Sequence, residues 1–416
     1  MQVATEIPVP APFTDGLRTA PSEEPWDFSL GLNPTSLKRQ ANKDTSMTLE
    51  HSGEQQPPFV DLAWACNKEA SNDFRSDFFT KPTLPMLEAI INTSLGDGDM
   101  DEDKTTNSFQ DYVASLVGHE AALLVVSGTM GNQVALRSAL GAPPHSILAD
   151  HRGHIIILEG GGASSLFGAM IKQVVPSNGH HLTLADIQKH ATTTTTVYDC
   201  PTRIISLENT LWGTVMPLAE IRAISHWARA QNPPIHMHLD GARLWEAVAA
   251  GACTLRDMGE CFDSIQMCFT KGLGAPIGSI VTGTLPFVQR AKWSRKLLGG
   301  STRSSGVIAA PARVAIDQVF LAGKLKAAQD KAARASRLWE QLGGKLALPT
   351  ETNIIWVDLE ASGLVPEVFY GMAAKFDVKI GAPIFGRIVF HYQISEAAFA
   401  RLCEFFRAVF RDSGKL

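Results

Sequence analysis

The chain has 416 residues, 45% of them hydrophobic, enough to bury one large core and a smaller second one. Its acidic excess is slight, 42 Asp and Glu against 37 Lys and Arg, and no basic cluster stands out, which argues against nucleic acid or an anionic membrane surface as a partner. No apolar run reaches the roughly 18 residues of a membrane helix, the N-terminus lacks a charged-then-apolar signal, and the early acids Asp15, Glu23 and Glu24 argue against a mitochondrial presequence, so a cytoplasmic location is expected.

Cys66, Cys200, Cys253, Cys261, Cys268 and Cys403 are scattered without CxxC spacing. They read as reduced core residues, neither a disulfide framework nor a metal site.

Residues 1–58 are rich in Pro, Ser, Thr and charge and read as a mobile or surface-wrapping extension. Ordered structure is expected from 59, with a large domain over 59–320 and a small one over 321–416. Within Asn72-Asp73-Phe74-Arg75-Ser76-Asp77, Ser76 reads on its own as a helix N-cap. Leu84 to Thr93 is an amphipathic helix, and the run Gly96 to Asp103 is a solvated acidic loop.

Phe109 to Val117 reads as a helix and Ala121 to Val126 as a buried strand. The small-residue turn Ser127-Gly128-Thr129-Met130-Gly131 leads into a helix over Val134 to Leu140. Free backbone N–H groups and the helix dipole converge at such a turn, so Gly128, Thr129 and Met130 form a candidate phosphate cradle. Ile147 to Ala149 is a strand leading to His154 and Glu159-Gly160-Gly161-Gly162. Taken by itself, His154 is a satisfied core histidine. The low-complexity run Thr192 to Thr196 is a loop without an assigned role, and Arg203 to Thr210 is a strand ending in polar groups before Trp212.

Leu218 to Gln231 is an amphipathic crossover helix feeding the apolar strand that ends at Asp240. A second apolar run, from Phe262, ends at Lys271 between Thr270 and Gly272. A lysine without bulky neighbours reaches forward into a cavity, and an aspartate roughly thirty residues earlier, at βαβ spacing, stands on the adjoining strand. That pair suits pyridoxal phosphate: the amine condenses with the cofactor aldehyde and the carboxylate keeps the pyridine nitrogen protonated. Pro286 to Leu298 is helical, Gly299 to Gly306 is a glycine- and serine-rich loop carrying Arg303, and Ala309 to Leu342 is one long helical crossover. The small domain is expected from strands near Asn353 to Leu359 and Arg387 to Gln393 and a helix over Glu396 to Arg411.

The blocks His238-Leu239-Asp240-Gly241-Ala242-Arg243-Leu244-Trp245 and Thr270-Lys271-Gly272-Leu273-Gly274-Ala275-Pro276-Ile277-Gly278-Ser279 resemble the signatures of the threonine aldolase family, from about Asn72 to the C-terminus. The resemblance implies an α/β fold, pyridoxal phosphate fold type I: a large domain with a mostly parallel seven-stranded sheet and a smaller C-terminal α+β domain. It implies Lys271 as the cofactor lysine, Asp240 on the pyridine nitrogen and His154 flat over the ring, with Ser76, Arg243 and Arg303 around the substrate carboxylate. Read without the family, Arg243 is a salt-bridge partner of Asp240. Two departures stand out: Met100 replaces a family tyrosine that often serves a neighbouring subunit, and Trp212 stands where a histidine contacts the β-hydroxyl. The site is expected at an interface of a homodimer or homotetramer, acting on a small amino acid.

Two outcomes compete at Cα. Racemisation needs a proton carrier on each face, Lys271 on one and His154 on the other; retro-aldol cleavage needs a base for the β-hydroxyl. Trp212 is a poor base and fills side-chain space, which favours an alanine-type racemase, as in fungal members of the family, over a low-specificity L-threonine aldolase. A β-eliminating lyase lacks a recognisable leaving-group acid. A catalytically dead interaction protein is opposed by the joint presence of Asp240, Lys271, Arg243 and Arg303.

Overall fold

The computed structural model describes residues 67–412 apart from Pro383; the extension expected over 1–58, and Cys66, lie outside the described residues. Two helices come first, α1 (Leu84–Ile91) and α2 (Lys104–Val117). Strands and helices then alternate as β1 (Ala121–Val125), α3 (Gly128–Ala139), β2 (Ser146–Asp150), α4 (His154–Ile157), α5 (Gly162–Phe167), β3 (Met170–Val174), α6 (Leu184–His190), β4 (Thr202–Glu208) and α7 (Leu218–Arg229). Next come β5 (His236–Gly241), α8 (Leu244–Ala249), α9 (Leu255–Cys261), β6 (Ser264–Cys268), β7 (Ser279–Gly283), α10 (Leu285–Leu297), α11 (Gly306–Ala315) and α12 (Lys324–Gln341). The chain ends in β8 (Lys345–Leu348), β9 (Ile354–Asp358), α13 (Pro366–Lys375), β10 (Arg387–Val389) and α14 (Glu396–Asp412).

The larger sheet has seven strands in the order β1-β7-β6-β5-β4-β2-β3. Its β2 to β6 pair in parallel, while β7 runs antiparallel to both β1 and β6. Strands covered on both faces need continuous apolar runs, and β6 is buried at every position. The covering helices bury one stripe each, as α7 does with Ile221, Ile224, Ser225 and Ala228. Thr183 and Thr254 start α6 and α9 with reciprocal capping boxes through Asp186 and Asp257.

A second, three-stranded antiparallel sheet, β10-β9-β8, packs with α12 to α14 around Phe369, Phe390, Phe405 and Trp339. Phe74 belongs to this second core, 5.3 Å from the Phe390 ring, and Asp73 bridges to Lys379. The segment around Asn72, expected in the large domain, therefore packs against the C-terminal one.

Three further local expectations are corrected. Helix α3 starts at Gly128, because the Ser127 hydroxyl accepts the Met130 N–H at 3.1 Å and caps it there. The crossover from 309 to 342 is not continuous: a π turn over Ile316–Phe320 and Gly323, at φ 72°, bend it by 55°. The acidic loop is not merely solvated, since Asp97 pairs with Arg303, Asp99 with Arg295 and Lys296, and Asp101 with Lys292. Among the described residues no single helix is long and apolar enough to cross a membrane, and Cys200, Cys253, Cys261, Cys268 and Cys403 are free thiols.

Candidate active site

A parallel sheet exposes its ligand-binding crevice at the carboxyl ends of its strands. There the structure opens a cavity of about 350 Å³ lined by Ser127, Gly128, Thr129, His154, Asp240 and Lys271, with Asn132, Gln266 and Cys268 in its wall. Asp240 closes β5 and is paired in register with Gln266 of β6. Lys271 follows β6 by a few residues on a tight loop: Gly272, at φ 68°, donates its N–H to the Asp77 carbonyl at 3.1 Å and leaves no room for a Cβ beside Glu246. The expected neighbouring of Asp240 and Lys271 is thus realised in one cavity.

Asp240 accepts from the Ala242 N–H at 3.1 Å and from Asn132 Nδ2 at 2.7 Å. Asn132 spends its other N–H on Glu159 at 2.8 Å, and Glu159 also accepts from Gln133 at 2.6 Å. The Glu159 oxygen that accepts from Asn132 also meets His154 Nδ1 at 2.8 Å, with the carboxylate side chain fully buried and the imidazole 28% exposed. Such a pair fixes the imidazole tautomer with the Nδ1 proton facing the acid, and turns Nε2 into the free base. Glu208, opposite Asp240 in the sheet, accepts the His154 backbone N–H at 2.8 Å. Burial, reinforced by the Asp240 charge, pushes the Glu208 carboxyl above the usual range.

Of the expected cradle, Gly128 and Thr129 line the cavity beside Ser127, while the Met130 N–H is consumed by the cap and its side chain packs with the cluster of Leu123 and Val134. A Cβ at Gly128 would come within 2.7 Å of Cys268 Sγ, so the turn passes this close to β6 because the residue is glycine. In the same wall, the buried Gln266 Oε1 has no hydrogen-bond partner. A lysine, a carboxylate, an imidazole and an anion cradle around one cavity of this size fit pyridoxal phosphate.

The carboxylate-binding residues are arranged differently from expectation. Arg243 pairs with Asp77, not Asp240, through two bonds of 2.8 and 2.7 Å. Burial lowers the Arg243 affinity for its proton, but the Asp77 carboxylate more than restores it. Ser76 is fully buried with its hydroxyl 3.4 Å from Asp77. Arg303 is not brought to the cavity: its side chain is 76% exposed and holds Asp97. A cation that sequence reasoning missed, Arg387 on β10, is buried beside Arg243 and Asp77 with its Nε unpartnered. Burial first, and then the Arg243 charge, lowers the Arg387 guanidinium to about 10. Trp212, at φ 56°, does not line the cavity; its ring stacks on Trp356 at 5.1 Å and its carbonyl accepts the Trp356 indole N–H.

Asp77, Glu159 and His238 stand in the sequence blocks above and Asn132 directly follows the turn, yet none of the four was given a role. The alternation of β5, which puts His236, His238 and Asp240 on one face, was a legible signal for His238.

The sequence pattern of the β-eliminating lyase family matches residues 73–362. Over 340 residues the chain is 49% identical to the aldolase vrtJ of Penicillium aethiopicum, covering 82% of this chain and 86% of that protein. It is 41% identical to the low-specificity L-threonine aldolase of Eremothecium gossypii, over 83% of this chain and 89% of that one. It is 40% identical to the alanine racemase TOXG of Cochliobolus carbonum, over 84% and 90%. In fold it is similar to the Leishmania major threonine aldolase, with TM-score 0.69 at 20% identity over 81% of this chain and 99% of that one.

Proposed function

Because the chain belongs to the β-eliminating lyase family and is a pyridoxal phosphate enzyme of fold type I, we propose that it acts at Cα of a small amino acid, cleaving the Cα–Cβ bond of L-threonine-type β-hydroxy-α-amino acids. The observation that carries this reading is the His154–Glu159 pair, which gives the cavity a base for the β-hydroxyl proton without the family histidine that Trp212 replaces. The bound cofactor supplies an electron sink for the bond broken at Cα.

The remaining work falls to side chains of this chain. Lys271 holds the cofactor and carries a proton to or from Cα on its own face. Asp240, supported by Asn132 and the Ala242 N–H, would set its negative charge against the pyridine nitrogen and keep that nitrogen protonated. Gly128 and Thr129 offer backbone N–H groups to the phosphate at the start of α3. His154, oriented by Glu159, takes the hydroxyl proton through Nε2. Arg387 and Arg243 orient the substrate carboxylate, Arg387 through its unpartnered Nε and Arg243 while tied to Asp77, and Ser76 assists.

Alanine racemisation is the second reading, favoured by the 40% identity to TOXG and by the presence of two proton carriers, Lys271 and His154, in the same cavity. Its sequence argument rested on Trp212 being a poor base and filling substrate space; the stacking of Trp212 on Trp356 speaks against the second ground, and the His154–Glu159 pair offers another base against the first. The exposed apolar side chains Leu84, Ile91, Leu95 and Met100 support the homodimer or homotetramer of this proposal, with a cytoplasmic location.

Incubation of the cofactor-loaded protein in deuterated water with L-threonine, and separately with L-alanine, tests the choice by NMR and chiral chromatography. Glycine and acetaldehyde from threonine, with alanine left in the L form, are expected. D-Alanine deuterated at Cα with no glycine from threonine overturns the proposal in favour of the racemase.

A further inference from the structure

Strand β5 carries His236, His238 and Asp240 on one face, and a run of hydrogen bonds joins them through two neighbouring elements. His236 Nε2 lies 2.8 Å from Ser264 Oγ on β6. Ser264 Oγ lies 2.9 Å from His238 Nδ1, and His238 Nε2 lies 3.2 Å from Asn132 Oδ1 on α3. Asn132 then donates both N–H groups, one to Asp240 and one to Glu159.

The directions of these bonds follow from Asn132. Its amide nitrogen faces two carboxylates, so its oxygen can only accept, and His238 must carry its proton on Nε2. His238 Nδ1 is then an acceptor, Ser264 donates to it, and Ser264 Oγ accepts from His236 Nε2. Every link points its proton towards the cavity. Bonds aligned head to tail polarise one another, so the whole run favours negative charge on Asp240. His238 and Ser264 are fully buried, and burial pushes His238 down to about 3, leaving it neutral across the working range.

We infer that His238 is a positioning residue: held in one tautomer by Ser264 and His236, it locks the Asn132 amide so that a single side chain braces both the Asp240 carboxylate and the His154–Glu159 pair. An unlocked Asn132 that turned over would set its oxygen against two carboxylates. The proton between Asp240 and the cofactor's pyridine nitrogen would shift towards the carboxyl, and His154 would lose its fixed orientation.

The inference rests on the proposed place of Asp240 at the pyridine nitrogen, and the test separates the two. Wild type, His238→Phe, His238→Gln and Ser264→Ala are loaded with pyridoxal phosphate labelled with ¹⁵N in the ring, and the pyridine resonance is followed against pH. In wild type the nitrogen is expected to stay protonated through neutral pH. His238→Phe, a ring without a donor, should move the neutral-pH resonance part of the way towards that of an unprotonated pyridine, as the proton passes to the Asp240 carboxyl. His238→Gln, which restores an N–H, should recover most of the shift, and Ser264→Ala should give a smaller shift of the same sign.

A resonance unchanged in both His238→Phe and Ser264→Ala overturns the inference while leaving Asp240 in its role. Should His238→Phe not fold, an unchanged resonance in Ser264→Ala overturns it alone. An unprotonated nitrogen in wild type overturns the placement of Asp240 and the inference together.

Discussion

Replacing Asp77 by Asn removes one charge from the most enclosed ion pair near the cavity and changes almost no volume. The Asp77 side chain is fully buried and that of Arg243 is 12% exposed. With charge centres about 4 Å apart and an effective dielectric near 20, the attraction is ~4 kcal/mol. Asparagine keeps an oxygen for one Arg243 bond but leaves two guanidinium groups, Arg243 and Arg387, without the carboxylate between them. The loss should therefore approach the about 3–5 kcal/mol typical of orphaning one member of a buried pair.

The pH dependence distinguishes this origin from a packing defect. Burial alone would raise the Asp77 carboxyl, but Arg243, by charge and hydrogen bond, and then Lys271 and Arg387 hold it well below the usual range. A depressed carboxyl contributes stability that is present above the unfolded-chain value of about 3.9 and is lost as pH falls through the folded value. Urea unfolding of wild type and Asp77→Asn should thus differ by a constant amount from about pH 8 to about pH 5 and converge below about pH 4, where a packing defect would persist. A difference under about 1 kcal/mol, the scale of an exposed pair, or one that vanishes by pH 5, would refute the reasoning.

Gly128→Ala drives a methyl into Cys268 Sγ and should weaken pyridoxal phosphate binding about tenfold or more, read by fluorescence titration; unchanged affinity would remove Gly128 from the cradle. Glu246, buried beside the Lys271 loop, has its carboxyl pushed up to about 8, by burial first and then by Asp77. The folded state keeps a proton that the unfolded chain releases near about 4.3, so wild-type stability falls as pH rises towards 8. Glu246→Gln should make that slope shallower in urea midpoints at acid and alkaline pH, leaving the share of Glu208, and superimposable profiles would contradict the assignment. Trp212→Phe should cost about 1 kcal/mol of stacking on Trp356 and leave the ratio of threonine cleavage to alanine exchange within about twofold; a change of product would return Trp212 to the substrate pocket.

The meeting of Asp240 and Lys271 in one cavity was legible in the sequence because both obey local rules. Asp240 and Lys271 each end an apolar run beside small residues, and the parallel sheet turns that spacing into adjacency. The cradle was legible for the same reason, but its extent was not: the Ser127 cap starts the helix early and withdraws Met130. What escaped depends on contacts between distant segments. Nothing local joins Arg243 to Asp77, 166 positions away, or singles out Arg387 on a strand of three residues. Arg303 sits in a motif-like loop, yet its charge is spent on Asp97. His238 was hidden by the opposite effect, since a histidine inside an apolar strand has the look of a core residue until its partners are seen.

The central claim is that Lys271 holds the cofactor in the cavity that Asp240 and His154 share. Borohydride reduction of the cofactor-loaded protein, followed by proteolysis and peptide mass spectrometry, tests it directly. A phosphopyridoxyl group on Lys271 is expected; its appearance on another lysine, or its absence from a protein saturated with pyridoxal phosphate, would show that Lys271 does not hold the cofactor.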